Sequence, residues 1–207
     1  MTMARGSSQT GTNAALAFRA HSGWAAMVVV AGDANSIELI DRGRIELIDS
    51  SISGSKQPFH FAEDMSLKEA TKYIDRCNTK TRLLAKNAFA TIIDAMNKND
   101  VTIVACASMQ SSGNPLPALE KILASHALIH TAEGEFFRDA IAKACEFNNL
   151  QLTKIKEREV YQLASARFKL TEEELQERIN KLGKLLGPPW RQDEKMATVA
   201  GLLALNP

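Results

Sequence analysis

Leu16-Ala-Phe-Arg-Ala-His21-Ser22-Gly23-Trp24-Ala-Ala-Met-Val-Val-Val-Ala31 decides the fold. A short apolar run is followed by a stronger one rich in β-branched residues, which pack well on a pleated sheet. Gly32-Asp33-Ala34-Asn35 then supplies a turn. Beyond it, Ile37-Glu-Leu-Ile-Asp41 and Arg44-Ile-Glu-Leu-Ile-Asp49 alternate apolar and polar side chains, as half-buried strands do. Arg42-Gly43 between them permits a hinge or bulge. The whole stretch predicts an antiparallel meander of about three strands.

Downstream the periodicity changes. Residues 50–64 are predicted as a loop, and Ser66-Leu-Lys-Glu69 is a capping box that opens a helix. Helical spacing runs through Ile74, Cys77, Leu84, Ala88 and Ile92 to about Asn97, with a break expected near Asn78-Thr79 because the span is long. Val101-Thr-Ile-Val-Ala-Cys-Ala107 is a continuous apolar strand, of the kind buried at a sheet centre, and Ser108 to Pro115 follow as a polar loop. Helices are expected over 116–126 and 131–147, a last strand over 150–157, and a second capping box at Thr171-Glu-Glu-Glu174 starts a helix to about Leu186. Gly187-Pro188-Pro189 stops it, and a final helix covers 191–205. Strands, helix, strand, helices, strand, helices: this order predicts a mixed α/β sheet, a three-strand antiparallel meander plus βα crossovers, with helices on its faces. Residues 1–15, rich in Gly, Ser and Thr, are expected as a flexible leader, and 16–207 as a single α/β domain.

Composition narrows the function classes. The 25 Lys and Arg against 24 Asp and Glu leave a net charge of +1. Nucleic-acid-binding domains that rest on phosphate contacts commonly carry a basic excess, so any basic surface here must be local. Cys77, Cys106 and Cys145 are widely spaced with no CxxC pair, which excludes the usual structural zinc sites and points to reduced, buried thiols. The longest apolar run, Trp24 to Ala31, is far short of the roughly 20 residues that span a bilayer. A soluble, cytoplasmic protein without a membrane partner is expected.

Several constellations could carry chemistry. His126-Ala-Leu-Ile-His130 has i, i+4 spacing with Glu133 three residues on, so a continuous helix would put both imidazoles on one face, as in zinc-binding helices. His21 or His60 could complete a ligand set, and imidazole with carboxylate suits Zn, Fe or Mn better than Mg. Against this, Thr131 looks like a helix start, which would leave His126 and His130 straddling a turn. Pro58-Phe59-His60-Phe61-Ala62-Glu63-Asp64 places a titratable His beside acids, the usual general-base arrangement. It also reads as a loop pinned by two Phe. Ser108 stands where open α/β sheets bind small polar ligands or phosphates. No GxxxxGK[ST] or G-x-S-x-G pattern is present, so a nucleotide P-loop and a hydrolase nucleophile elbow are excluded. Trp190, between Pro189 and Arg191, reads as a packing anchor beside Asp193.

The element order resembles the ribonuclease H-like superfamily, nearest its Holliday-junction resolvase branch. Leu16 to Trp24 has the shape of the branch's first strand and Gly-Trp turn, with His21 where an Asp would stand. Asp193-Glu194-Lys195-Met-Ala-Thr-Val-Ala-Gly-Leu-Leu-Ala-Leu205 is similar to its last helix. The likeness spans most of 16–205 and rests on pattern. It implies binding of structured nucleic acid or a protein partner, a homodimer, and a divalent-metal cofactor. The departures imply the loss of standard two-metal nuclease activity: His21 replaces the first carboxylate, Ala107-Ser108 the second, and only Asp193-Glu194 remains. On this reading His21, Ser108 and Asp193 meet at one cleft with no tightly held metal, bordered by Arg191 and Glu194. The alternative is a metal- or His/carboxylate-dependent hydrolase with a rebuilt site, in which His21, His60, His130, Glu133 and Asp193 converge.

Overall fold

The opening run folds as a two-strand hairpin. In the computed structural model, which describes residues 11–110 and 115–207, β1 (Thr12–His21) pairs antiparallel with β2 (Trp24–Ala31). The turn between them is Ser22-Gly23, where Gly23 has φ +89°, a conformation open to glycine at little cost. β2 pairs antiparallel with β3 (Glu38–Glu46), a single strand that passes through Arg42-Gly43 with only one register shift, at Val29/Val30. β1 starts four residues earlier than the predicted leader allows. Ala14 and Ala15 are fully buried in the sheet, so burial overrides the weak local signal there, and residues 1–10 lie outside the described part.

β4 (Val101–Gln110) lies parallel to β1, and β5 (Leu152–Lys156) parallel to β4. The sheet order is β3-β2-β1-β4-β5, the expected meander plus crossovers. β4 runs past its predicted end: Ser108 pairs with Phe18 inside the sheet, and of the predicted polar loop residues 111–114 lie outside the description.

Helices cover both faces. On one, α2 (Leu67–Asn97) and α4 (His126–Phe147) pack on Leu16, Phe18, Met27 and Val29. α2 is unbroken at Asn78-Thr79, because Ala70, Ile74, Cys77, Thr81, Ala85, Phe89, Ile92 and Met96 keep one buried face at helical spacing throughout. The short α1 (Pro58–Phe61) forms within the predicted loop, with Pro58 in its first turn, where a missing N–H costs nothing. α3 (Leu119–Leu123) is shorter than expected, and α4 begins at His126 rather than Thr131.

On the opposite face lie α5 (Val160–Phe168), which local sequence did not signal, α6 (Glu172–Leu186) and α7 (Gln192–Leu205). They bury Ala15, Ala17, Val28 and Val30. α7 comes close enough that a Cβ on Gly201 would lie 2.5 Å from Val30 Cγ1. All three cysteines are buried and free. Among the described residues, no helix is long and apolar enough to cross a membrane.

Candidate functional sites

Strand alternation builds the first site. Ala15 and Ala17 face α7, so Arg19 and His21, two and four residues on, continue the same face to the strand's end. There they meet Asp193, in the first turn of α7. Arg19 pairs with Asp193 and makes a forked contact to Glu157, Nε at 3.3 Å and Nη2 at 2.9 Å. Burial opposes the Arg19 charge, but the hydrogen bonds and charges of Glu157 and Asp193 outweigh it and hold its pKa above the ordinary value. His21 Nε2 lies 3.1 Å from Asp193 Oδ1, yet Nε2 has no hydrogen bond of good geometry, so the two share proximity rather than a directed bond. The carboxylate of Glu194 is engaged elsewhere: it accepts the Arg191 backbone N–H at 2.7 Å and caps α7.

An arginine-lined cleft adjoins this centre. His21 stacks on Trp24 with ring centroids 4.4 Å apart, and the Arg44 guanidinium sits 4.3 Å from the centroid of the Trp24 ring. Trp24, Arg42, Arg44, Arg191 and Asp193 line a cavity of about 400 Å³. Trp190 is the anchor expected of it: its indole N–H donates to the Ile179 carbonyl at 3.0 Å, and its ring fills the space beside Gly183.

The second site is on the other face. Glu133, 4% exposed on α4, accepts the backbone N–H groups of Phe59 at 2.8 Å and His60 at 3.0 Å, at the start of α1. The same Oε1 lies 3.2 Å from His60 Nδ1, which donates, since a carboxylate oxygen can only accept. Burial raises the pKa of Glu133, and the bonds from His60 and Phe59 only partly offset it. Because α4 starts at His126, His126 and His130 do share a face; their Nε2 atoms are 3.0 Å apart. The His60 ring lies 5.4 Å from that of His126 and 4.7 Å from that of His130. One ring nitrogen from each of the three falls within 4.8 Å of the others.

Ser108 joins neither site. Its neighbours Ala107 and Met109 face α7, so its own side chain points to the α2/α4 face, into a cavity of about 410 Å³ with Asn78, Phe136, Arg138 and Lys154. The expected cleft of His21, Ser108 and Asp193 is therefore not formed. Nor do all five hydrolase candidates converge: His21 and Asp193 are together, as are His60, His130 and Glu133, with the sheet between the two sets. Arg19, Glu157 and Arg44 were missed. Alternation from His21 would have found Arg19, whereas Glu157, 138 residues away from it, gave no local signal.

This sheet order with helices on both faces is a ribonuclease H-like fold. Thermus thermophilus RuvC in complex with Holliday junction substrate is similar, with a TM-score of 0.52 at 11% identity over 91% of this chain and 90% of that one. A second structure of T. thermophilus RuvC matches with a TM-score of 0.51 at 10% identity over the same shares. At that identity the likeness is one of fold. No protein-family model and no curated protein matches the sequence.

Proposed function

We propose that this chain is a ribonuclease H-like protein that binds structured nucleic acid through the arginine-lined cleft and lacks two-metal nuclease chemistry. The observation that carries the reading is Arg19 bridging Glu157 and Asp193. Two divalent cations need three or four converging carboxylates, because both the attacking and the leaving oxygen of an in-line displacement require a cation. Here a guanidinium already pairs with both carboxylates at the sheet end, and Ser108 faces away. The donor set does not fit a two-cation centre.

Beside it, Arg42, Arg44 and Arg191 line the cleft. Guanidinium forks suit phosphate oxygens, and Trp24, already stacked with His21 and Arg44, serves to hold Arg44 rather than to offer a base platform. The near-neutral net charge fits a local contact of this kind. The similar RuvC structure in complex with a Holliday junction favours a branched duplex as ligand. The hydrolase alternative is left with His60, His126, His130 and Glu133 alone.

Fluorescence anisotropy with labelled duplex, single-stranded and four-way-junction DNA at two salt concentrations tests the reading. Binding should weaken with salt, Arg44→Ala and Arg191→Ala should each weaken it several-fold, and added Mg²⁺ should produce no cleavage. No binding to any of the three at low salt would overturn the proposal and favour a protein partner for the cleft.

A further inference from the structure

We infer that His60, His126 and His130 form a binding site for one divalent transition-metal ion of the Zn²⁺ class, with Glu133 as the positioning residue behind it. The site is independent of the proposed cleft and lies across the sheet from it.

Geometry comes first. Zinc binds imidazole nitrogen at about 2.0–2.1 Å, so two ligands at a tetrahedral centre stand about 3.4 Å apart. The Nε2 atoms of His126 and His130 are 3.0 Å apart, close to that edge, and one ring nitrogen of His60 lies within 4.8 Å of a nitrogen on each. Two imidazole nitrogens approach this closely only when they share something positive between them. Without a metal it must be a proton, which requires opposite tautomers in two solvent-exposed rings that water could serve equally well.

The rest of the arrangement points the same way. A metal-bound His usually gives its other N–H to a carboxylate, which fixes the tautomer and raises the ligand's basicity. Glu133 does this for His60, and the two backbone N–H bonds from α1 in turn hold Glu133. The second oxygen, Oε2, is buried with no hydrogen-bond partner among the described residues. A buried carboxylate with an orphaned oxygen is unfavourable unless a positive charge is near. A cation on His60 would place that charge one imidazole away. Three protein ligands leave a fourth position for water or a ligand. A shallow depression of about 510 Å³, lined by Ser50, Ser55, Lys56, Gln57 and His60, opens beside it. Hard Mg²⁺ prefers oxygen donors and is disfavoured by an all-imidazole set.

The test uses the untagged full chain, stripped with chelator and titrated with Co²⁺, whose d–d absorption reports coordination, and then with Zn²⁺ as competitor. One equivalent of Co²⁺ should bind with the intensity of a four- or five-coordinate site, and Zn²⁺ should displace it. His126→Ala and His130→Ala, on an exposed helix surface, should abolish the absorption while leaving the circular dichroism unchanged. Glu133→Gln should weaken Co²⁺ binding about 10- to 100-fold without changing the one-to-one stoichiometry. His21→Ala should leave the spectrum as it is. No stoichiometric Co²⁺ binding by the folded protein, or binding that survives His130→Ala, would overturn the inference. DNA binding by the arginine cleft is untouched by either result, so the two proposals fail separately.

Discussion

The two faces of the sheet each bring a carboxylate and a histidine together, and they partner the carboxylate differently. On the α7 face, Asp193 is paired with Arg19, whose charge is permanent. On the α4 face, Glu133 is deeper and has the titratable His60 beside it, with no arginine or lysine paired to it among the described residues. The faces differ in packing too: small residues against α7, aromatics against α2 and α4. A centre closed by its own arginine can recognise and hold but is poorly suited to bind cations. A centre of imidazoles backed by a buried carboxylate is suited to take one up.

Packing gives the largest expected effect. Phe18 and Phe89 stack with centroids 4.9 Å apart, and both are fully buried. Phe89→Ala should cost about 3–5 kcal/mol by lost transfer energy and the cavity left behind. Urea denaturation would show it as a fall in midpoint at constant slope. A cost below about 1 kcal/mol would mean that α2 can collapse onto the sheet, and the aromatic face would not be the rigid one.

Breaking the built-in ion pair comes next. Arg19→Ala leaves Glu157 and Asp193 facing each other, at side-chain exposures of 33% and 20%. Loss of one partner of a fully buried pair costs about 3–5 kcal/mol; partial exposure reduces the expectation here to about 2 kcal/mol. Arg19→Asp sharpens the contrast, because it turns the centre into a carboxylate set. Mg²⁺ should then raise the melting temperature of the variant and leave that of the wild type unchanged. If Mg²⁺ stabilises both equally, Arg19 is not what keeps cations out.

Much of this arrangement was legible in the sequence, and the gaps have physical causes. The meander followed from alternation in 37–49 and the β-branched run of β2, and both capping boxes formed with both of their bonds. His126 and His130 share a face as their spacing allowed, although Thr131 looked like the helix start; the burial of Ile129, whose N–H bonds the Ser125 carbonyl, carries the helix back by a turn. The β1 start and the length of β4 were missed because tertiary burial, not propensity, holds Ala14, Ala15 and Ser108 in strands. Grouping the candidates failed for a related reason. A period of two tells which residues share a strand face, but which face a later helix covers is set by topology. Ser108 was thus assigned to the wrong side, and Arg19, between Phe18 and Ala20, was given no role.

A smaller effect should separate the faces at their helix packing. Gly201 of α7 touches Val30 and Ala17, and a methyl there would meet the latter's Cβ at 3.2 Å. Gly201→Ala gains about 1 kcal/mol of helix propensity but overpacks by about 1–3 kcal/mol, so a net loss of up to about 2 kcal/mol is expected. A stabilised variant, seen as a higher urea midpoint, would show slack between α7 and the sheet and remove the packing contrast.

The smallest difference lies in how the long helices begin. α2 has a full capping box, with the Ser66 hydroxyl donating to Glu69 Oε2 at 2.6 Å, whereas α7 has the Glu194 carboxylate on the Arg191 N–H. The Ser66 hydroxyl, and then its backbone N–H, hold the Glu69 carboxyl below its ordinary value. A carboxyl depressed in the folded state stabilises above its unfolded pKa, and that contribution is lost as pH falls through the folded one. Ser66→Ala should cost about 1 kcal/mol through loss of the cap, and above the Glu69 pKa the lost bond to its carboxylate adds to that deficit. The deficit relative to wild type should shrink as pH falls below the ordinary Glu value and through the depressed folded one, until Glu69 is protonated in both proteins and only the hydroxyl's own bond to the Glu69 N–H still separates them. Paired urea titrations at neutral and acidic pH measure the difference. A deficit that stays constant with pH would assign the whole effect to the hydroxyl and leave Glu69 no share in starting α2.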